Sequence, residues 1–181
     1  MALALLLAAC ASPPLKLYTL AAAPQDSDPP PRRSTGPVIV VDRVTLPGYL
    51  DTQDLVVRRG EVLERSLTGR WASRLSVDAT DFLANLLAAS RPDALVTNAS
   101  PAGEPDYEIR IHVSKLDVTS SGAALVVADW QIIPRARRAP VVRDQIRFTM
   151  QGSVANDQRI VSLQTRLFER LAAAIDVSSL R

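Results

Sequence analysis

Leu46-Pro47-Gly48-Tyr49-Leu50-Asp51, then Leu55-Val56-Val57-Arg58, then Arg70-Trp71-Ala72, is the stretch on which the fold reading turns. Pro47-Gly48 marks a turn, because proline presets φ and glycine relieves the following backbone. Leu55 to Arg58 is a short β-rich run, and Gly60 ends it. Val62-Leu63-Glu64 reads as its hairpin partner. Arg70-Trp71-Ala72 then stands at the mouth of a helix. Tyr49 and Leu50 are apolar residues in a Pro-Gly loop. They are expected to be exposed and to form a contact surface with Arg58 beside them. Trp71 reads equally as a further contact anchor and as a residue packed under the first helix.

Downstream, Leu75, Ala79, Phe82, Leu83, Leu86 and Leu87 recur at helical spacing, which predicts a helix over about 73–90 that Pro92 stops. Ala94 to Thr97 reads as a short strand. Tyr107, Ile109, Ile111 and Val113 alternate with polar neighbours. After a turn at Ser121-Gly122, Ala124, Val126, Ala128, Trp130 and Ile132 do the same. A third strand over 141–151 has an uncertain register. The three predict an antiparallel meander with one face polar enough to meet water. Ile160, Leu163, Leu167, Leu171, Ala174 and Ile175 predict a closing helix over about 156–175. The expected class is α+β, a mixed and largely antiparallel sheet with two helices packed on one face.

Upstream, Val38 to Val44 is a β-branched run. Ser12 to Gly36 holds six prolines among Ser, Asp and Gln, a composition that cannot bury enough surface to fold. Fully extended, such a tether of about 25 residues reaches about 85 Å. Within it, Leu15 to Leu20 alternates and could pair as a strand. Met1 to Ala9 is wholly apolar and Cys10 follows directly. The run is too short to span a bilayer, which takes about 20 residues. No basic residue precedes Cys10, so a start upstream of Met1 or a trimmed leader is expected. The expected organisation is a signal peptide over 1–9, a lipidated Cys10 with a disordered Pro-rich tether over 10–36, and one domain over 37–181.

The composition excludes several classes. A net charge of +2, with 4% aromatic residues, gives neither the basic face nor the stacking platform of a nucleic-acid binder. One Cys and one His exclude a four-ligand structural zinc site of the usual Cys and His types. No metal and no cofactor are expected. His112 has no nucleophile-elbow serine to serve and is expected on the solvent side of its strand. Asp51 and Asp54 read as turn or cap residues rather than as an acid–base pair. Arg135, Arg137 and Arg138 read as a solvated hairpin loop, with lipid head groups or an acidic partner as the sharper alternative.

The Leu46–Asp51, Val56–Arg58 and Arg70–Ala72 motifs, Asp106-Tyr107, Trp130 and Tyr18-Thr19-Leu20 together resemble the ABC-type transport auxiliary lipoproteins. Within these, the resemblance is to the PqiC-type group of the paraquat-inducible system. Leu7-Ala8-Ala9-Cys10 resembles a lipobox, and Ala11 after the cysteine favours the outer membrane. The resemblance implies a non-enzymatic domain on the periplasmic face of that membrane, forming a homo-oligomeric ring. It would dock the conduit of a PqiB-like MCE-domain protein that carries lipid between membranes. The residues leave an alternative open, a periplasmic lipoprotein that binds lipid or another apolar ligand in its own cavity, and more distantly a hydrolase. Large residues in the helix stripes favour a packed core over such a cavity.

Overall fold

The computed structural model describes residues 14–20, 34–135, 140–178 and 180. Cys10, the leader, most of the tether, Arg137 and Arg138 lie outside them. The class is α+β, with ten elements in the order β1 (Lys16–Tyr18), β2 (Val38–Val41), β3 (Asp54–Arg59), β4 (Val62–Trp71), α1 (Leu75–Ser90), β5 (Leu95–Thr97), β6 (Tyr107–Val118), β7 (Ala123–Pro134), β8 (Val142–Gln151) and α2 (Asp157–Ala174). The strands form two sheets. One has three strands in the order β1-β4-β3, and the other has five in the order β5-β2-β6-β7-β8.

The meander β6-β7-β8 is antiparallel throughout, while β2 joins parallel to both β5 and β6. Its alternation sends Ile109, Ile111, Val113, Val126, Ala128, Trp130 and Ile132 to the face under α2, where all are buried. α2 closes this core with Leu163, Leu167, Phe168 and Leu171, each nearly inaccessible to solvent. Its buried stripe is wider than the predicted one and takes in Val161, Gln164, Phe168 and Ala172, because the helix packs on the sheet and on α1 at once. Asn156 caps it by accepting the Arg159 N–H at 3.0 Å.

α1 begins two residues later than predicted, since Arg74 is still extended and its side chain makes no capping bond. The cap comes from the Leu46–Asp51 loop. Asp51 Oδ1 accepts the Ser76 N–H at 3.3 Å, and the Thr52 carbonyl accepts that of Leu75 at 3.2 Å. The loop is held in turn by the Leu50 and Asp51 N–H groups, which donate to the Pro47 carbonyl at 2.8 and 3.1 Å. Such a cap satisfies helix N–H groups that have no partner within the helix.

Two expectations are corrected. The body does not begin at residue 37: β1 lies in the stretch read as tether, pairs in parallel with β4 and is followed by a buried Leu20. The hairpin partner of β3 is also longer than Val62 to Glu64, for β4 continues to Trp71. Its apolar pattern is broken by a bulge, visible where the pairing moves from Asp54↔Arg70 to Val56↔Arg65.

The β6–β7 turn rests on Gly122, whose φ is +86° and where a Cβ would lie 2.1 Å from the Gly152 carbonyl oxygen. Both the left-handed φ and the backbone contact oppose any side chain. Gly122→Ala is expected to cost about 2–3 kcal/mol of stability. A lowered urea midpoint at unchanged slope would register the loss.

Candidate interaction surface

The helices cover one face of the five-stranded sheet, and the pairing register defines the other. Four rows run across it: Arg110–Gln131–Arg143, His112–Asp129–Gln145, Lys115–Val127–Arg147 and Asp117–Leu125–Thr149. The bulge between Val113 and Lys115 lets Lys115 and Asp117 keep to this face. His112 is exposed here, as its strand position predicts. The surface is polar, mostly cationic and floored by half-buried Leu125 and Val127. It suits a partner bound by ion pairs and hydrogen bonds over a thin apolar strip.

A buried carboxylate stands at each end of the face. Asp117, 6% exposed, meets Arg58 Nη2 at 3.1 Å and Lys115 Nζ at 3.5 Å. Arg58 Nε also faces the second Asp117 oxygen at 3.1 Å, without hydrogen-bond alignment. The Tyr49 hydroxyl donates to Asp117 at 3.5 Å, and its ring lies 5.9 Å from the Arg58 guanidinium carbon. Arg58 is aimed here because β3 is stitched to the end of β6, where the Ser120 N–H donates to the Arg58 carbonyl at 2.9 Å. The hydrogen bond to Asp117 holds the Arg58 guanidinium above its ordinary pKa. Burial, then the Asp117 charge, push the Tyr49 hydroxyl up as well. An open cleft of about 610 Å³ adjoins the cluster, lined in part by Arg58, Thr119, Ala124, Leu125 and Met150.

At the other end Glu108, 5% exposed, accepts from Arg110 Nε and from Arg135 Nη2, each at 2.5 Å. Burial opposes its ionisation, but a hydrogen bond with Asp42 and the charges of Arg110 and Arg135 outweigh it and hold Glu108 low. Burial and then Glu108 raise Asp42 in turn. Arg135 is exposed just past the end of β7, as expected of a solvated loop residue, and also pairs with Glu108.

Of the residues predicted as contacts, only Tyr49 and Arg58 reach this surface. Leu50 is 2% exposed and Trp71 1% exposed, so both belong to the core and offer nothing to a partner. Leu50 is turned inward by the same loop that caps α1. Trp71 pairs across from Tyr18 and donates its N–H to the Gln53 carbonyl at 2.8 Å. Asp51 and Asp54 are not an acid pair: Asp51 caps α1, and Asp54 pairs with Arg65 at 3.2 Å. The burial of Asp117 is not legible in the sequence, where a charged residue at the end of a strand carries no sign of the Arg58 that covers it. Among the described residues no group of three or more His, Cys, Asp or Glu could hold a metal ion.

The model of the ABC-type transport auxiliary lipoprotein component matches residues 18–176. The chain belongs to that family. The match starts at Tyr18, the last residue of β1. An uncharacterised protein of known crystal structure superposes on this lipoprotein with a TM-score of 0.71 at 15% identity, over 88% of this chain and 95% of that one. A DUF330 protein from Xanthomonas campestris does so with a TM-score of 0.61 at 11% identity, over 88% of each chain. At such identities the likeness is one of fold. No curated protein matches the lipoprotein in sequence. Asp106, which carries part of the family resemblance, clips two strands of the fold: its carboxylate accepts the Val38 N–H at 2.8 Å, and its own N–H donates to the Val38 carbonyl at 2.8 Å.

Proposed function

We propose that this chain is anchored to the periplasmic face of the outer membrane through a lipid on Cys10. There it acts as an auxiliary subunit of an intermembrane lipid transport system, docking the conduit of an MCE-domain protein of the PqiB type. The observation that carries the reading is the family match across residues 18–176, which spans both sheets and both helices. That family is one of transport auxiliary lipoproteins, which supports both a lipid anchor and an auxiliary role. The lipobox-like Leu7-Ala8-Ala9-Cys10 supports lipidation at Cys10, and the helix-free face of the large sheet offers a surface for partners, including further copies of this chain. The protein makes and breaks no bonds on this reading. It positions another component.

The rival reading, an apolar ligand held inside the domain, needs space between sheet and helices. That space is filled by Phe82, Leu167, Phe168 and Leu171, all 2% exposed or less. The 610 Å³ cleft lies instead at the hairpin end of the sheet.

The anchor is tested by Cys10→Ala. The variant is expected to leave the outer-membrane fraction, since each buried methylene of an acyl chain contributes about 0.8 kcal/mol and several chains act together. Persistence in the outer-membrane fraction would overturn the lipidated-cysteine reading.

A further inference from the structure

The short first strand changes what the anchor can do. Cys10 precedes Lys16 by six residues, a span of at most about 20 Å. Because β1 is docked on β4, the small sheet hangs from the anchor on a short leash. The 85 Å reach expected of a free tether does not apply to it.

That end of the small sheet presents leucines to solvent. Leu15 is 53% exposed, Leu17 65% and Leu67 92%. The register Lys16↔Gly69 sets Leu15 at the level of Thr68, beside Leu67. Leu67 stands out because β4 bulges over residues 66–69. The bulge is held rigidly: Ser66 Oγ accepts the Thr68 and Gly69 N–H groups at 3.1 and 2.9 Å, and Thr68 Oγ1 donates to Asp157 at 2.8 Å. An ordered bulge that holds a leucine almost fully in water forfeits burial, unless something apolar receives it. Lys16 and Arg70 are exposed alongside and have no acidic partner among the described residues.

We infer that Leu15, Leu17 and Leu67 form a membrane-facing foot that seats in the lipid head-group region, with Lys16 and Arg70 meeting lipid phosphates. This rests on the Cys10 anchor proposed above. The leash decides between occupants. The acyl chains fix Cys10 at the bilayer surface; Leu15 and Leu17 lie within about 25 Å of it by covalent geometry, and the pairing of β1 with β4 brings Leu67 beside Leu15. Apolar side chains flanked by cations are the composition that binds an interface. The foot would then set the tilt of the domain, leaving the helix-free face of the large sheet for protein partners.

Depth-dependent quenching tests this on the full acylated lipoprotein in phosphatidylethanolamine–phosphatidylglycerol vesicles. Acylation consumes the single natural thiol, so Leu67→Cys can carry the only environment-sensitive fluorophore. Leu95→Cys is the control, 46% exposed and at the far end of α2, whose 18 residues span about 27 Å. Head-group and shallow-chain nitroxide lipids are expected to quench the label at 67 and to leave that at 95 unchanged. An unquenched label at 67 on protein that floats with the vesicles would overturn the foot and leave the anchor standing. If that label were also blue-shifted, a second copy of this chain would be the occupant instead. Failure to float would overturn the anchor, and the foot with it.

Discussion

Trp71→Ala is expected to lower the unfolding free energy by about 3–5 kcal/mol, the range for deleting a large buried aromatic side chain. Trp71 is 1% exposed and lies where β4, β1 and the start of α1 meet. Its removal would open a cavity that the short β1 cannot collapse to fill. Domains of this size are stable by about 5–15 kcal/mol, so the loss is a large share of the whole. Trp71→Phe keeps most of the packing and is expected to fold with a much smaller loss, which makes the comparison readable even if the alanine variant is unfolded. Urea unfolding followed by circular dichroism measures both. Unchanged midpoints in both variants would return Trp71 to the contact role, one of the two that its sequence position allows.

Asp117→Ala is the second large effect, expected at about 2 kcal/mol. Removing one member of a fully buried ion pair costs about 3–5 kcal/mol. Here Arg58 keeps 27% of its side chain in water and Lys115 49%, so solvent takes up part of the loss. Arg58→Ala in the same chain should recover some of it, because the stranded guanidinium is then gone. The variant also changes the alkaline limb of stability. Tyr49 has a raised pKa in the fold, so its contribution is present below the ordinary tyrosine value of 10.0 and is lost as pH rises through the folded value. Without the Asp117 charge that raised value should fall towards 10.0, with burial keeping part of the shift. The loss of stability above pH 10 should shrink accordingly, and unfolding midpoints between pH 9 and 11 would show it. An identical alkaline limb in both proteins would mean that Tyr49 does not sense Asp117.

The elements that could be read from the sequence were those whose burial repeats locally. Ile109, Ile111 and Val113, and the stripe of α2, announce their faces within a single element. The rest depends on partners distant in the chain. β1 pairs with β4 more than fifty residues later, and nothing in Lys16-Leu17-Tyr18 names that strand. Leu50 is an apolar residue in a loop, and only the docking of that loop on α1 decides that it points inward. The bulge in β4 hides its alternation, so residues beyond Glu64 do not look like strand. In β8, Asp144 shares the helix-side face with Ile146, Phe148 and Met150, yet it is exposed near the strand's start, and this is what blurs the register. The buried carboxylates were illegible for the same reason. Glu108 and Asp117 sit at outward positions of a strand and become buried only when side chains from other elements, Arg135 and Arg58, fold over them.

The central claim is that this lipoprotein serves a transport apparatus by holding on to another of its components. Crosslinking in intact cells, followed by purification of the acylated chain from solubilised membranes and mass spectrometry of what is bound to it, tests that most directly. Crosslinks are expected from the helix-free face, around Arg58, Lys115 and Arg147, to an MCE-domain protein or to further copies of this chain assembled with one. Recovery of a monomer without any MCE-domain protein would contradict it.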